Sequence, residues 1–131
     1  MSNIELLEKT LPVAPLKIVA MESCRGLGQK VNDYIVSFRE NTINEVSESS
    51  LYVNYKSNNY LVDCCCPRFG TGEAKGILRE TIRGTDLFIM TDVCNYSLTY
   101  TVSGHLNHMS PDDHYQDLKR IISAATGKAK R

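Results

Sequence analysis

Apolar positions along the chain fall into two patterns, dense short runs and spaced stripes. Dense runs at 16–21 (LKIVAM), 60–66 (YLVDCCC) and 87–90 (LFIM) are short and bounded by glycine, proline or aspartate, which predicts buried strands. The first stripe is Leu27, Val31, Ile35 and Phe38, helped by Tyr34. Its intervals of four, four and three predict one face of an amphipathic helix over 24–40, with Ser23 as its N-cap. A second stripe, Tyr115, Leu118, Ile121, Ile122 and Ala125, follows Ser110-Pro111-Asp112-Asp113. That tetrapeptide supplies a capping serine, a proline at the first helical position and two carboxylates at the positive end of the helix dipole, and Gly127 supplies a stop.

Between these elements the pattern is weaker. Residues 74–80, with Ile77 and Leu78, read as a strand pairing locally, and Arg83-Gly84-Thr85-Asp86 as a turn into 87–90. Residues 42–59 are polar apart from the alternating 51–55 (LYVNY), which fits an added hairpin strand or a surface insertion. Residues 92–109 read as polar and irregular. Residues 1–15 form an amino-terminal extension with a short helix over 4–9, ended by Pro12 and Pro15, and 16–131 then form one domain. Strand, short turn, helix is the opening of an α/β unit, so the fold class predicted is α/β. The last helix has no strand after it, an odd place for that rhythm to stop.

Length and charge narrow the field. At 131 residues the chain is one domain that can bury a core without staples. Lys plus Arg is 15 and Asp plus Glu is 15, so no global field recruits nucleic acid or an anionic membrane. The start, MSNIELLEKTLPVAPLK, carries Glu5 and Glu8 and no long apolar run, unlike a secretory signal or a membrane span. Five cysteines occur, Cys24, Cys64, Cys65, Cys66 and Cys94, with no CxxC pair. Strand alternation sends Cys64 and Cys66 to one face and Cys65 to the other, so the triplet reads as small apolar filler in a strand buried on both faces. Reduced thiols of this kind place the protein in the cytoplasm.

Candidate chemistry concentrates in Arg68-Phe69-Gly70-Thr71-Gly72-Glu73. Two glycines around a threonine let the backbone take positive φ or approach a ligand closely. Such a loop can present an aromatic face to a flat base and a carboxylate to an exocyclic amine or a ribose hydroxyl. The same residues also fit an ordinary hairpin turn with Phe69 packed into the core. His105, His108 and His114, with Asp112 and Asp113 nearby, are metal-ligating types, but their spacing fixes no shared face. They read as solvated loop and helix-start residues, and no metal site is assigned. A P-loop lysine, a nucleophile elbow and a dinucleotide glycine fingerprint are all missing from the sequence.

The central stretch resembles the amino-terminal half of ribose-phosphate pyrophosphokinase (phosphoribosyl pyrophosphate synthetase). The family's usual RFSDGE stands here as Arg68-Phe69-Gly70-Thr71-Gly72-Glu73. Its ESVRGKDVFI stands as Glu80-Thr81-Ile82-Arg83-Gly84-Thr85-Asp86-Leu87-Phe88-Ile89, and its Cys-Asn pair as Cys94-Asn95. Residues 16–21 resemble its first strand, and Asp117-Leu118-Lys119-Arg120 onward its next helix. The stretches 42–59 and 96–114 diverge from the family. The resemblance implies a three-layer, mostly parallel, phosphoribosyltransferase-like domain that belongs to a longer, homo-oligomeric enzyme. That enzyme moves the diphosphoryl group of ATP to ribose 5-phosphate with magnesium, giving phosphoribosyl pyrophosphate and AMP. It further implies that Phe69, Thr71 and Glu73 hold the ATP adenine across a subunit interface, and that Thr81 and Arg83 take an effector phosphate. Thr71 departs from the family's aspartate. The family's catalytic loop, metal ligands and ribose-phosphate loop lie beyond Arg131, so no catalytic residue is expected in this chain, which alone is expected to be inactive. A non-catalytic regulatory or subunit-docking relative is the alternative.

Overall fold

A computed structural model describes residues 14–45 and 57–131. The expected helix over 4–9 and the alternating segment 51–55 lie outside the described residues. The elements are β1 (Leu16–Ala20), a 3-10 turn (Glu22–Cys24), α1 (Arg25–Glu45), β2 (Cys64–Cys65), β3 (Ile77–Leu78), β4 (Asp86–Met90), β5 (Thr99–Val102), β6 (His105–His108) and α2 (Pro111–Ala125).

β1 and β4 form a parallel pair in register from Leu16 opposite Asp86 to Ala20 opposite Met90. On the outer side of β1, Ile18 donates to Tyr60 O at 2.8 Å and Val62 donates to Ile18 O at 2.8 Å, so the predicted run at 60–66 begins as a parallel neighbour. On the far side of β4, Lys130 donates to Thr85 O at 2.7 Å and Leu87 donates to Arg131 O at 2.8 Å. Arg131 adds an ion pair with Asp86, Nε to Oδ1 3.0 Å, which holds that carboxyl below the usual carboxylate range. β2 and β3 pair antiparallel, as do β5 and β6.

Neighbouring residues of a strand project to opposite faces, and β1 uses both. Val19, fully buried, joins Met21, Val62, Cys64 and Ile82 in a core with Ile121 and Ala125 of α2. Ala20 instead meets α1, where a Cβ built on Gly28 would fall 2.2 Å from the Ala20 methyl. Only glycine lets the helix come so close. β3 makes a similar approach to α2, because a Cβ on Gly76 would lie 2.5 Å from the Arg120 carbonyl.

Several expectations are corrected. Ser23 caps no helix: it is buried in the 3-10 turn, where its hydroxyl accepts from Asp92 N at 2.9 Å and pairs with the Thr91 hydroxyl at 3.3 Å. The helix starts at Arg25 and runs past residue 40. Its inward face is Gly28 and Asn32, the latter accepting from Tyr60 N at 2.8 Å, whereas Leu27, Tyr34 and Phe38 of the predicted stripe are exposed. In α2 the capping box of Ser110 and Asp113 forms as expected, but the buried positions are His114, Asp117, Ile121 and Ala125, with Tyr115 and Ile122 in solvent. The "irregular" 92–109 contains the β5–β6 hairpin, turned on Ser103 and Gly104, both at positive φ. Cys64 is buried, while Cys65 and Cys66 are half-buried, so the triplet is covered less evenly than a two-sided strand would be.

Candidate functional site

The glycine loop is a tight reversal closed at its neck by a bridge between Arg68 and Ala74. Phe69 N donates to Glu73 O at 2.7 Å and Gly72 N to Phe69 O at 2.9 Å. Gly72 sits at φ +89°, a conformation that favours glycine. Backbone bonding of this kind turns Phe69, Thr71 and Glu73 outward together. All three are exposed, Phe69 by 52%, which rules out the reading with Phe69 in the core. An exposed aromatic ring beside an exposed carboxylate is an incomplete surface: it can stack on a base and accept from an amine, but nothing on its outer side encloses a ligand.

The loop is braced from below by residues that the sequence pattern did not single out for the site. Arg68 Nη1 donates to Gly72 O at 3.1 Å, and Nη2 pairs with Asp117 Oδ2 at 3.0 Å, with side-chain exposures of only 10% and 7%. The other Asp117 oxygen takes Arg120 Nη1 at 2.6 Å. The central carbon of the Arg68 guanidinium lies over the Tyr100 ring, 4.3 Å from its centre. Two cations on one buried carboxylate leave no buried polar atom unpartnered among the described residues. The signal for Asp117 was its place on the inward face of a capped helix, one turn before Ile121. No sequence signal marked Tyr100.

Beneath this brace is a cavity of about 210 Å³ between β2, β5 and α2, reached by Cys64, Cys66 and His114. His114 is 3% exposed and bonds through Nε2 to Asn95 O, correcting its reading as a solvated helix-start residue. Burial pushes the Cys64 thiol up to about 11 and the Cys66 thiol up to about 12. Both therefore stay protonated and poorly nucleophilic at neutral pH.

Thr81 and Arg83 lie apart from the glycine loop, on the turn into β4. Ile82 between them is 2% exposed and anchors the turn, so its two neighbours face out. Arg83 N donates to Thr81 Oγ1 at 3.4 Å. Gly84, at φ +71°, donates to Lys128 O at 3.0 Å, and Thr85 Oγ1 donates to Ile82 O at 2.7 Å. The result is an open groove of about 470 Å³ lined by Lys75, Thr81, Arg83 and Lys128, with Glu80 on its rim held by Lys17 at 3.3 Å. Three cations against one paired carboxylate make it suited to an anion, and arginine suits phosphate oxygens in particular.

Among the described residues no three His, Cys, Asp or Glu side chains come together as a metal site would require, so no residue here is assigned to hold magnesium. No helix among them is long and apolar enough to cross a membrane.

A family model described as the N-terminal domain of ribose phosphate pyrophosphokinase matches residues 16–131. No curated protein and no solved structure matches the chain.

Proposed function

Because the chain belongs to the family of the N-terminal domain of ribose phosphate pyrophosphokinase, we propose that it serves a ribose-phosphate diphosphokinase as the part that receives the ATP adenine and an effector phosphate. In that reaction the anomeric hydroxyl of ribose 5-phosphate attacks the β-phosphorus of ATP. The new C–O–P link forms, the α–β anhydride breaks, and AMP leaves. Magnesium, which takes most of its ligands from phosphates and water, would neutralise phosphate charge there.

The observation that carries this reading is the outward set of Phe69, Thr71 and Glu73 on a loop held rigidly from behind. Phe69 stacks on the base, Glu73 accepts from the exocyclic amine, and Thr71 offers one hydroxyl where the family pattern has a carboxylate. A loop that presents its ligands outward is completed by another subunit, so the working protein is a homo-oligomer. The basic groove at Thr81 and Arg83 takes the effector phosphate. The approach of α1 to Ala20 and of α2 to Val19 supports a three-layer arrangement around the β1–β4 pair, and the proposed place of work is the cytoplasm.

The test is formation of phosphoribosyl pyrophosphate from ATP and ribose 5-phosphate. This chain alone is expected to give none. Joined to the carboxy-terminal half of a family member it is expected to give product, with the KM for ATP raised by Phe69→Ala. Product from the isolated chain would contradict the division of labour. A folded fusion that binds ATP and makes no product would favour the regulatory or docking module, a reading that Thr71 also favours.

A further inference from the structure

Resting on the reading of the glycine loop as adenine-facing, we propose that Tyr100 and Asp117 are positioning residues that clamp Arg68. The β5–β6 hairpin thereby belongs to the nucleotide site, although none of its residues is assigned to the base. Arg68 is the first residue of the loop, yet its side chain turns inward and meets three parts of the chain at once. Nη1 holds Gly72 O at 3.1 Å, Nη2 holds Asp117 on α2 at 3.0 Å, and the guanidinium carbon sits over the Tyr100 ring of β5, 4.3 Å from its centre. A guanidinium carries its donors in a fixed plane, so fixing that plane at Asp117 and Tyr100 fixes the direction from which Gly72 O is gripped. Gly72 follows Thr71 and precedes Glu73, and the grip sets how both are aimed.

Each half of the clamp is itself held. Asp117 cannot swing away, because Arg120 occupies its second oxygen at 2.6 Å. Tyr100 is paired with Asn107 across the hairpin, and Val102, two residues on in the same strand, reaches the loop backbone, where a Cβ on Gly72 would sit 3.7 Å from its methyl. The ring face also shields the guanidinium from water, which strengthens both of its hydrogen bonds.

The experiment measures amide hydrogen exchange at Phe69 and Gly72 in the purified chain and in Tyr100→Leu and Tyr100→Phe, repeated with ATP. Tyr100→Leu stays apolar but loses the π face, and is expected to speed exchange at Gly72 by about tenfold while core amides such as Val19 and Ile121 stay unchanged. Tyr100→Phe keeps the face and is expected to restore the native rate, a rescue that a merely structural loss of the hydroxyl would not give. Unchanged Gly72 exchange in Tyr100→Leu, or equal acceleration throughout the core, overturns the clamp. If Tyr100→Leu loosens the loop while ATP shifts no loop amide in any form, the clamp stands and the adenine reading falls. Should ATP protect the loop in the native chain while Tyr100→Leu leaves its exchange untouched, the clamp falls and the adenine reading stands.

Discussion

The glycine loop at 68–74 and the turn at 82–85 both reverse the chain on a glycine with positive φ, and both present exposed candidate side chains. They are held in opposite ways. The turn is held by its backbone and one buried side chain: Ile82 sits in the core, the Thr85 hydroxyl bonds back to Ile82 O, and Gly84 N reaches Lys128 O. The glycine loop depends on side chains from far along the sequence, Tyr100 on a hairpin and Asp117 on a helix. A turn pinned through backbone bonds keeps those anchors when side chains elsewhere change, whereas a loop braced by distant side chains can be retuned from elsewhere without touching its outward residues.

The largest expected effect breaks that long-range brace. Asp117→Ala leaves the Arg68 and Arg120 charges facing an apolar methyl and is expected to cost about 3–5 kcal/mol in chemical denaturation. Ile82→Ala, the corresponding blow to the turn, is expected to cost about 2–5 kcal/mol through its cavity alone. The two differ in what they couple to: Asp117→Ala is expected to be non-additive with Arg68→Ala in a double-mutant cycle, whereas Ile82→Ala is expected to add to it. Additivity in both pairs would erase the contrast between the two loops.

Gly72→Ala comes next, at about 1–2 kcal/mol, because a Cβ is disfavoured at φ +89° although the space beside it is adequate. A negligible cost in thermal unfolding would mean that the loop is looser than its hydrogen bonds imply.

Alkaline pH sharpens the comparison in another way. Cys66 lies under the clamp, its Sγ 3.9 Å from Asp117 O, and burial followed by the Asp117 charge pushes its thiol up to about 12. A thiol whose folded value is raised binds its proton more tightly in the native state. The stability it contributes is complete below the ordinary value of 9.0 and is lost as pH rises toward 12. Exchange-detected loosening is expected to reach Gly72 before Gly84 as pH climbs through that window. Simultaneous loosening would contradict the placement of Cys66 beneath one loop only.

The smallest effect on stability is at Arg83, an exposed residue. Arg83→Ala is expected to change stability by less than about 0.5 kcal/mol while weakening inorganic phosphate binding, measured by calorimetry, several-fold. Stability loss without loss of phosphate would make Arg83 a structural residue.

The sequence was informative wherever local chemistry decides. Ser110 with Asp113 forms the cap it promises, the runs at 16–20 and 86–90 are parallel strands, and Gly84 turns the chain as its neighbours require. It was uninformative where a distant partner decides. Leu27, Tyr34 and Phe38 have helical spacing, but the helix meets β1 through Gly28 and Tyr60 through Asn32, a small residue and a hydrogen-bonding one that hydrophobic periodicity cannot rank. His114 and Asp117 are polar by type and buried by virtue of Asn95 O, Arg68 and Arg120. The β5–β6 hairpin was hidden because its strands are polar, although Ser103-Gly104 between Thr99-Tyr100-Thr101-Val102 and His105 is a turn signal between β-favouring residues. The outward residues of the candidate site were thus legible, and the residues that hold them were not.

On the proposed reading the two loops receive different parts of the chemistry, adenine at the first and phosphate at the second. The most direct test of that reading is a backbone amide titration of the chain with ATP, GTP and inorganic phosphate. ATP is expected to shift Phe69 through Glu73 well beyond GTP, and phosphate alone to shift Thr81 through Gly84. Equal responses to ATP and GTP at the glycine loop, or a phosphate response there in place of the Arg83 turn, would contradict it.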